Sequence, residues 1–380
     1  MERIYVDHAA TSPMHPNVIE KMTEVMKTEF GNPSSIHSFG RSARHIVDEG
    51  RAAIAKSIGA EVNEIIFTSG GTEADNHAIF GTAEASKQHG RHIITTQIEH
   101  HAVLHACQEL EKQGFEVTYL PVDHKGRISA EAVKNALRDD TILVTVMYGN
   151  NEVGTIQPIK EIGQILADHQ AVFHTDAVQA FGLEKINVKE LGIDLMSISA
   201  HKINGPKGIG FLFANKDITL YSRMFGGEQE RKRRAGTENV PSIAGLRQAV
   251  EIAQSEMEKR VSTYKEYKSA FMKKLTDHGV KYSQNGSLDY SLPHVLNLSF
   301  PGTNVEAMLV NLDLAKIAAS SGSACTAGSI DPSHVLVAMY GKNDERLQNS
   351  IRFSFGITNT LEQIEKAAEE TSKIVHRLTR

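Results

Sequence analysis

The chain has 380 residues, 40% hydrophobic and 23% charged, with a net charge of −5. That length suggests about two domains of roughly 100–200 residues each, and the composition allows a large buried core. The weak negative balance gives no global pointer to nucleic acid or an acidic membrane surface, and no apolar run reaches the roughly 18 residues of a membrane helix.

In chain order, short β-rich runs alternate with helical patterns. Strands are predicted at Glu64–Thr68, His92–Thr96, Val117–Val122, Ile142–Met147, Ala171–Thr175, Leu195–Ser199 and Gly210–Ala214. Helices are predicted at Glu73–Gln88, Ala102–Lys112, Ala130–Leu137 and Ile159–Asp168. This alternation predicts an α/β domain with a mostly parallel central sheet. A long helical stretch follows from about Pro241 to Thr276. Its first part is apolar at Ile243, Leu246, Ala249, Val250 and Ala253, and its second places Met257, Val261, Tyr264 and Tyr267 on one face. Strand-like His294–Ser299 and Ile351–Phe355, helical Val305–Leu312 and a final helix at Leu361–Leu378 read as a smaller α+β domain, with the boundary near Ser255.

Three segments carry chemistry. Ser69-Gly70-Gly71-Thr72-Glu73 follows a strand and opens a helix, so its backbone N–H groups and the helix N-terminus can cradle a phosphate. The same residues would also make an ordinary capped turn. Ser199-Ala200-His201-Lys202 ends another strand ahead of Asn204-Gly205-Pro206-Lys207-Gly208. A lysine there, partly desolvated and near a phosphate cup, suits a carbonyl cofactor, although a solvated loop lysine is the simpler reading. Asp176, in His174–Gln179, sits at a strand's C-terminal end, where open α/β sheets bind ligands. It can hold the proton of a pyridinium nitrogen, or merely cap the next helix.

Together these segments resemble the fold-type I pyridoxal-phosphate enzymes. Further segments narrow the resemblance to the cysteine desulfurases, the family of the NifS and IscS proteins. They are Tyr5–Pro13, Gly31–His37, Glu99–Leu104, Asn150–Gly154, Arg234–Asn239 and Ser320–Gly328, within a similarity running from about residue 3 to 358. The resemblance implies a large cofactor-binding domain at 15–255, with a mostly parallel seven-stranded sheet. Residues 1–14 and 256–380 would form the small domain.

The resemblance also implies roles. Lys202 would form the Schiff base with pyridoxal 5'-phosphate, and His100 would stack on the ring and move protons. Asp176 would hold the ring nitrogen and Gln179 contact the phenolic oxygen. Gly71, Thr72, Ser199 and His201 would bind the phosphate. Thr237 would reach that phosphate from a neighbouring subunit, which makes a homodimer part of the expectation. Asn151 and Arg352 would bind the carboxylate of L-cysteine, a task suited to the planar guanidinium fork. Two departures are Asn204, where many relatives carry a bulkier residue, and His101, where relatives often carry Lys.

The two cysteines, Cys107 and Cys325, differ. Two thiols make no disulfide framework and fit a reducing cytoplasm, and no secretory signal is expected at the N-terminus. Cys107 shares an apolar helix face with Val103, Ala106 and Leu110, so it belongs to the core. Cys325 lies in a run of small residues, a composition expected of a loop that can swing between a buried site and the surface. The resemblance makes it the nucleophile. As a thiolate it would take sulfur from L-cysteine, release alanine and keep a persulfide for an acceptor protein in iron–sulfur cluster assembly or tRNA thiolation.

Two other signals are set aside. His101 and His105 are spaced i, i+4 but lack an evident third metal ligand. The basic run Arg231–Arg234 is short and without aromatic interleaving, so it is read as an active-site or subunit-contact loop, with no direct nucleic-acid binding. A selenocysteine lyase, another fold-type I enzyme such as an aminotransferase, and a non-catalytic scaffold are the competing readings.

Overall fold

The computed structural model describes residues 3–321 and 332–380. Cys325 lies outside the described residues. The chain enters through a short strand, β1 (Ile4–Tyr5), and two helices, α1 (Pro16–Thr28) and α2 (Ser38–Ile58). Neither helix has a Ser, Thr, Asp or Asn at its N-cap. His15 and His37 cap them instead, each accepting a backbone N–H at ring Nδ1 over 3.2 Å.

The main sheet follows, with helices between its strands. In chain order these are β2 (Ile65–Thr68), α3 (Gly71–Ser86), β3 (His92–Thr96), α4 (His101–Lys112), β4 (Glu116–Leu120), α5 (Ala130–Ala136), β5 (Thr141–Thr145), α6 (Ile159–Leu166), β6 (Val172–Asp176), β7 (Leu195–Ser199) and β8 (Gly210–Ala214). The strand order is β2-β8-β7-β6-β5-β3-β4. Only β8 runs against its neighbours. Most strands are buried along their whole length, as both faces of a sheet covered by helices require. One core packs around Phe173, Ile198 and Phe211, and a second around Ile79, Val103 and Leu143 on the other face. The expected mostly parallel seven-stranded sheet is present. Its observed strand ends lie within two residues of the expected ones, and β6 extends one residue further, to Asp176.

Helix α7 (Val240–Asp277) has 38 residues and is about 57 Å long. Its first half places Ile243, Leu246 and Ala253 in the main core, and its second places Tyr264, Phe271 and Leu275 in another core. The elements that follow are β9 (Ser283–Asn285), β10 (Val295–Ser299), α8 (Val305–Leu314), β11 (Ile317–Ala318), α9 (His334–Tyr340), α10 (Arg346–Asn349), β12 (Ser350–Ser354) and α11 (Leu361–Leu378); β10, α8, β11, β12 and α11 line this core, whereas α9 packs on Ile98, Met147 and Val153. Strands β12-β10-β9 form an antiparallel sheet, and β1 pairs with β11. The chain's first strand is thereby joined to its last third. Among the described residues no helix is long and apolar enough to cross a membrane.

Candidate active site

The carboxyl ends of the parallel strands open onto a cavity of about 520 Å³. Asp176 ends β6 and Ser199 ends β7, followed at once by His201 and Lys202. All four line the cavity, with Gly71, Thr72, His100, Asn151, Gln179 and Arg352. The fold therefore gathers these ten sequence-selected residues in one place. Thr237 is exposed and does not line this chain's own cavity.

The cup is built by backbone. Gly70 has φ 152° and ψ −173°, a region that essentially only glycine occupies. It turns the chain so that α3 begins at Gly71, two residues earlier than expected, with its first residues lining the cavity. A Cβ on Gly71 would come within 2.8 Å of Val178 Cγ2. Glu73 steadies the turn by accepting from Ser69 N–H over 2.7 Å. Glu73 also receives Arg234 at 2.8 and 3.1 Å, which ties the basic run to the base of the cup. Upstream of Arg234, Glu230, Arg231 and Lys232 have φ of 49°, 58° and 69°. Arg51 anchors this left-handed stretch by two hydrogen bonds to Glu230, of 2.7 and 2.6 Å.

At the floor, Lys202 Nζ donates to the carbonyls of Ala9 (2.5 Å) and Ala10 (2.7 Å). Gln179 Nε2 donates to the same Ala9 carbonyl over 3.0 Å, and Gln179 Oε1 pairs with His294 Nε2 at 3.0 Å. Asp176 accepts from Val178 N–H over 2.9 Å. Burial raises the Asp176 carboxyl, against the Val178 hydrogen bond and the Lys202 charge. Burial and the Lys202 charge hold His100 at about 4, so its ring is neutral. His100 Nδ1 accepts from Ala102 N–H over 3.1 Å, which leaves the ring proton on Nε2. His201 is likewise held at about 4 by burial and by Lys202.

The opposite wall comes from β12. Buried Arg352 donates to Asp7 Oδ1 over 3.0 Å and to the Asn151 carbonyl over 2.9 Å. Asp7 Oδ2 accepts from the Ser320 hydroxyl over 2.7 Å, and Ser320 and Arg352 exchange backbone hydrogen bonds. Sequence reasoning missed Asp7, the Ala9 and Ala10 carbonyls and Asp75, all close to the site. Backbone carbonyls leave no mark in a sequence, and Asp75 looks like any helix-surface acid. Cys107 is fully buried and burial pushes its thiol up, as a core residue requires. Asn204 has φ 66°, a left-handed conformation that Asn tolerates better than a bulkier residue. The His101–His105 pair meets a third ring, His334, with centres 4.8 Å from His101, a neighbour that sequence spacing could not reveal.

The donor set fits pyridoxal phosphate. A helix N-terminus with hydroxyls suits a dianion, a buried carboxylate suits a pyridinium nitrogen, and a lysine amine lines the same cavity. The family described as aminotransferase class-V matches residues 4–367. The chain is 63% identical over 379 residues to the putative cysteine desulfurase IscS 1 of Bacillus subtilis (strain 168), covering 100% of both chains. It is 48% identical over 375 residues to the cysteine desulfurase IscS of Methanosarcina thermophila, covering 99% of this chain and 92% of the relative. Among solved structures, a NifS-like protein superposes with a TM-score of 0.92 at 34% identity, covering 99% of this chain and 100% of the other. SspA in complex with cysteine superposes with a TM-score of 0.80 at 37% identity, covering 92% and 98%.

Proposed function

The chain belongs to the class-V aminotransferase family and is a pyridoxal-phosphate-dependent cysteine desulfurase, and on that premise we propose how its residues divide the work. The cofactor, when bound, supplies an electron sink for charge that develops on the substrate's Cα. The start of α3, Thr72, Ser199 and His201 hold its phosphate. Asp176 holds the ring nitrogen and Gln179 the phenolic oxygen. Lys202 would hold the cofactor covalently, and its amine would move the Cα proton. His100 would stack on the ring, and with its proton on Nε2 it can enter the reaction as a donor. Arg352, oriented by Asp7 and the Asn151 carbonyl, takes the substrate carboxylate together with the Asn151 side chain.

Cys325 is the sulfur acceptor. Its thiolate attacks the sulfur of L-cysteine and a sulfur–sulfur bond forms; the substrate's Cβ–Sγ bond breaks, its electron pair stays with the carbon skeleton, Cβ takes up a proton and the skeleton leaves as alanine. The persulfide passes to an acceptor protein that builds iron–sulfur clusters or thiolates tRNA. A homodimer, in which Thr237 of each subunit reaches the other's phosphate, belongs to the same proposal. So do a cytoplasmic setting and the division into residues 15–255 and residues 1–14 with 256–380.

The observation that carries this reading is the convergence of ten residues, chosen from sequence, on one cavity around Lys202 and Asp176. Cys325→Ser tests it. The variant should keep the cofactor's absorption band, release no sulfide from L-cysteine and transfer no labelled sulfur to a purified acceptor. Undiminished sulfide release by this variant would sink the nucleophile assignment.

A further inference from the structure

Two carboxylic acids meet at the cavity floor, and the roles above use one of them. Asp75 lies on α3, four residues beyond Gly71, and is 1% exposed, while Asp176 is 7% exposed. Their oxygens and a ring nitrogen of His100 all lie within 4.8 Å of one another. In so dry a place two negative charges at that separation cannot both persist, and one acid keeps its proton.

The surroundings decide which. Asp176 has the Val178 N–H and the Lys202 cation. Asp75 has neither: the Ser197 hydroxyl draws its carboxyl down, less than burial and the Asp176 charge push it up, and its Oδ1 makes no hydrogen bond. The ring nitrogen at 3.7 Å from that oxygen is His174 Nε2. It is already engaged with Ser197 Oγ at 3.0 Å, while His174 Nδ1 meets Thr145 Oγ1 at 2.8 Å. Burial holds His174 at about 3, so its ring supplies no positive charge. The remaining groups facing Asp75 add no positive charge. His100 is neutral, and Glu99, held at about 8 by burial, is a third acid. Burial and the nearby Asp176 both hold the Asp75 carboxyl well above the usual carboxylate range.

We propose that Asp75 is a positioning residue, a carboxylic acid that keeps its proton so that the pair's single negative charge stays on Asp176, facing the cofactor's ring nitrogen. The inference rests on the role given to Asp176. It explains how a helix carrying the phosphate cup can press an acid against that carboxylate without dividing its charge. Asp75 acts through Asp176 and does not itself touch the reacting atoms.

Infrared spectroscopy of the holoenzyme reads the proton directly. At neutral pH the wild type should show the C=O stretch of a protonated carboxyl that Asp75→Asn removes. Asp176→Asn, by taking away the neighbouring charge, should lower the pH at which that band is lost. The pH midpoint of the cofactor's absorption gives an independent reading. Asp75→Asn matches a neutral acid in charge and shape, so it should change the apparent proton affinity by less than about twofold, whereas loss of an ionised neighbour would change it about tenfold or more. No band difference between Asp75→Asn and the wild type, or a tenfold change in that midpoint, overturns the proposal. If Asp176→Asn leaves the cofactor's pH behaviour untouched, the Asp176 assignment fails, while the band still reports on Asp75. Should Asp75→Asn not fold, titration of the wild type decides: a protonated-carboxyl signal accounted for by one acid, leaving Asp75 ionised at about pH 7, also overturns the proposal.

Discussion

At the floor of the cavity, Asp176, Ser199 and Lys202 hang from adjacent strand ends of one sheet, each at or within three residues of a ladder pairing. At the wall, Arg352 comes from a second sheet and is aimed by side chains, through Asp7, Ser320 and the Asn151 carbonyl. Floor geometry is thus set by backbone and survives the loss of a side chain. Wall geometry is made of the polar contacts themselves, so losing one removes both a binding group and a brace. A floor substitution should damage chemistry alone, and a wall substitution should damage binding and stability together.

The largest effect tests the floor. Lys202→Ala should lower alanine release about 10³-fold or more, since proton transfer alone is worth 10²–10⁴. Its melting temperature should stay close to that of the wild-type apoenzyme. Retention of a tenth of the activity would break the floor half of the comparison. Arg352→Gln tests the wall. Truncating one partner of a buried charge pair costs about 2–5 kcal/mol, so the KM for L-cysteine should rise about 30-fold or more, with a lower melting temperature because Asp7 loses its cation. A raised KM with unchanged melting would mean that Arg352 binds substrate but braces nothing.

The smallest effect concerns the layer beneath the floor. His174 is neutral when folded, with burial holding it at about 3, and takes up a proton when unfolded below about 6.5. The stability it contributes is therefore complete above about pH 6.5 and falls as the pH drops toward 3. Between about pH 7 and 5 the loss is about 2 kcal/mol. Urea midpoints of the holoenzyme at those two values should show a pH dependence that His174→Gln reduces by that amount. Equal dependence in both proteins would mean that the ring is not held neutral.

How much of this could be read in the sequence follows from the same division. The strands of the main sheet are β-branched runs bounded by polar turns, and the floor residues sit where those runs stop, so both were legible. α1 and α2 were not, because histidines cap them in place of Ser, Thr, Asp or Asn. The bracing by Asp7 was hidden for another reason. Its pairing with Arg352 joins positions 345 residues apart, and no local pattern records such a contact. Asp75 was missed because an acid on a helix usually faces water, and the packing of α3 on β6 and β7 is what buries it.

Helix α7 runs unbroken through both cores, and this bears on how the chain can be cut. A fragment ending near Ser255 would keep the apolar half of the helix but lose Leu292 from the main core. A fragment starting there would keep Tyr264, Phe271 and Leu275 but lack Ile4 and Val6 of their core and the first strand, whose partner is β11. Neither piece carries a complete interior of its own. The enzyme is better handled, diluted or fused as one length of polypeptide, with additions at its ends and none along residues 240–277.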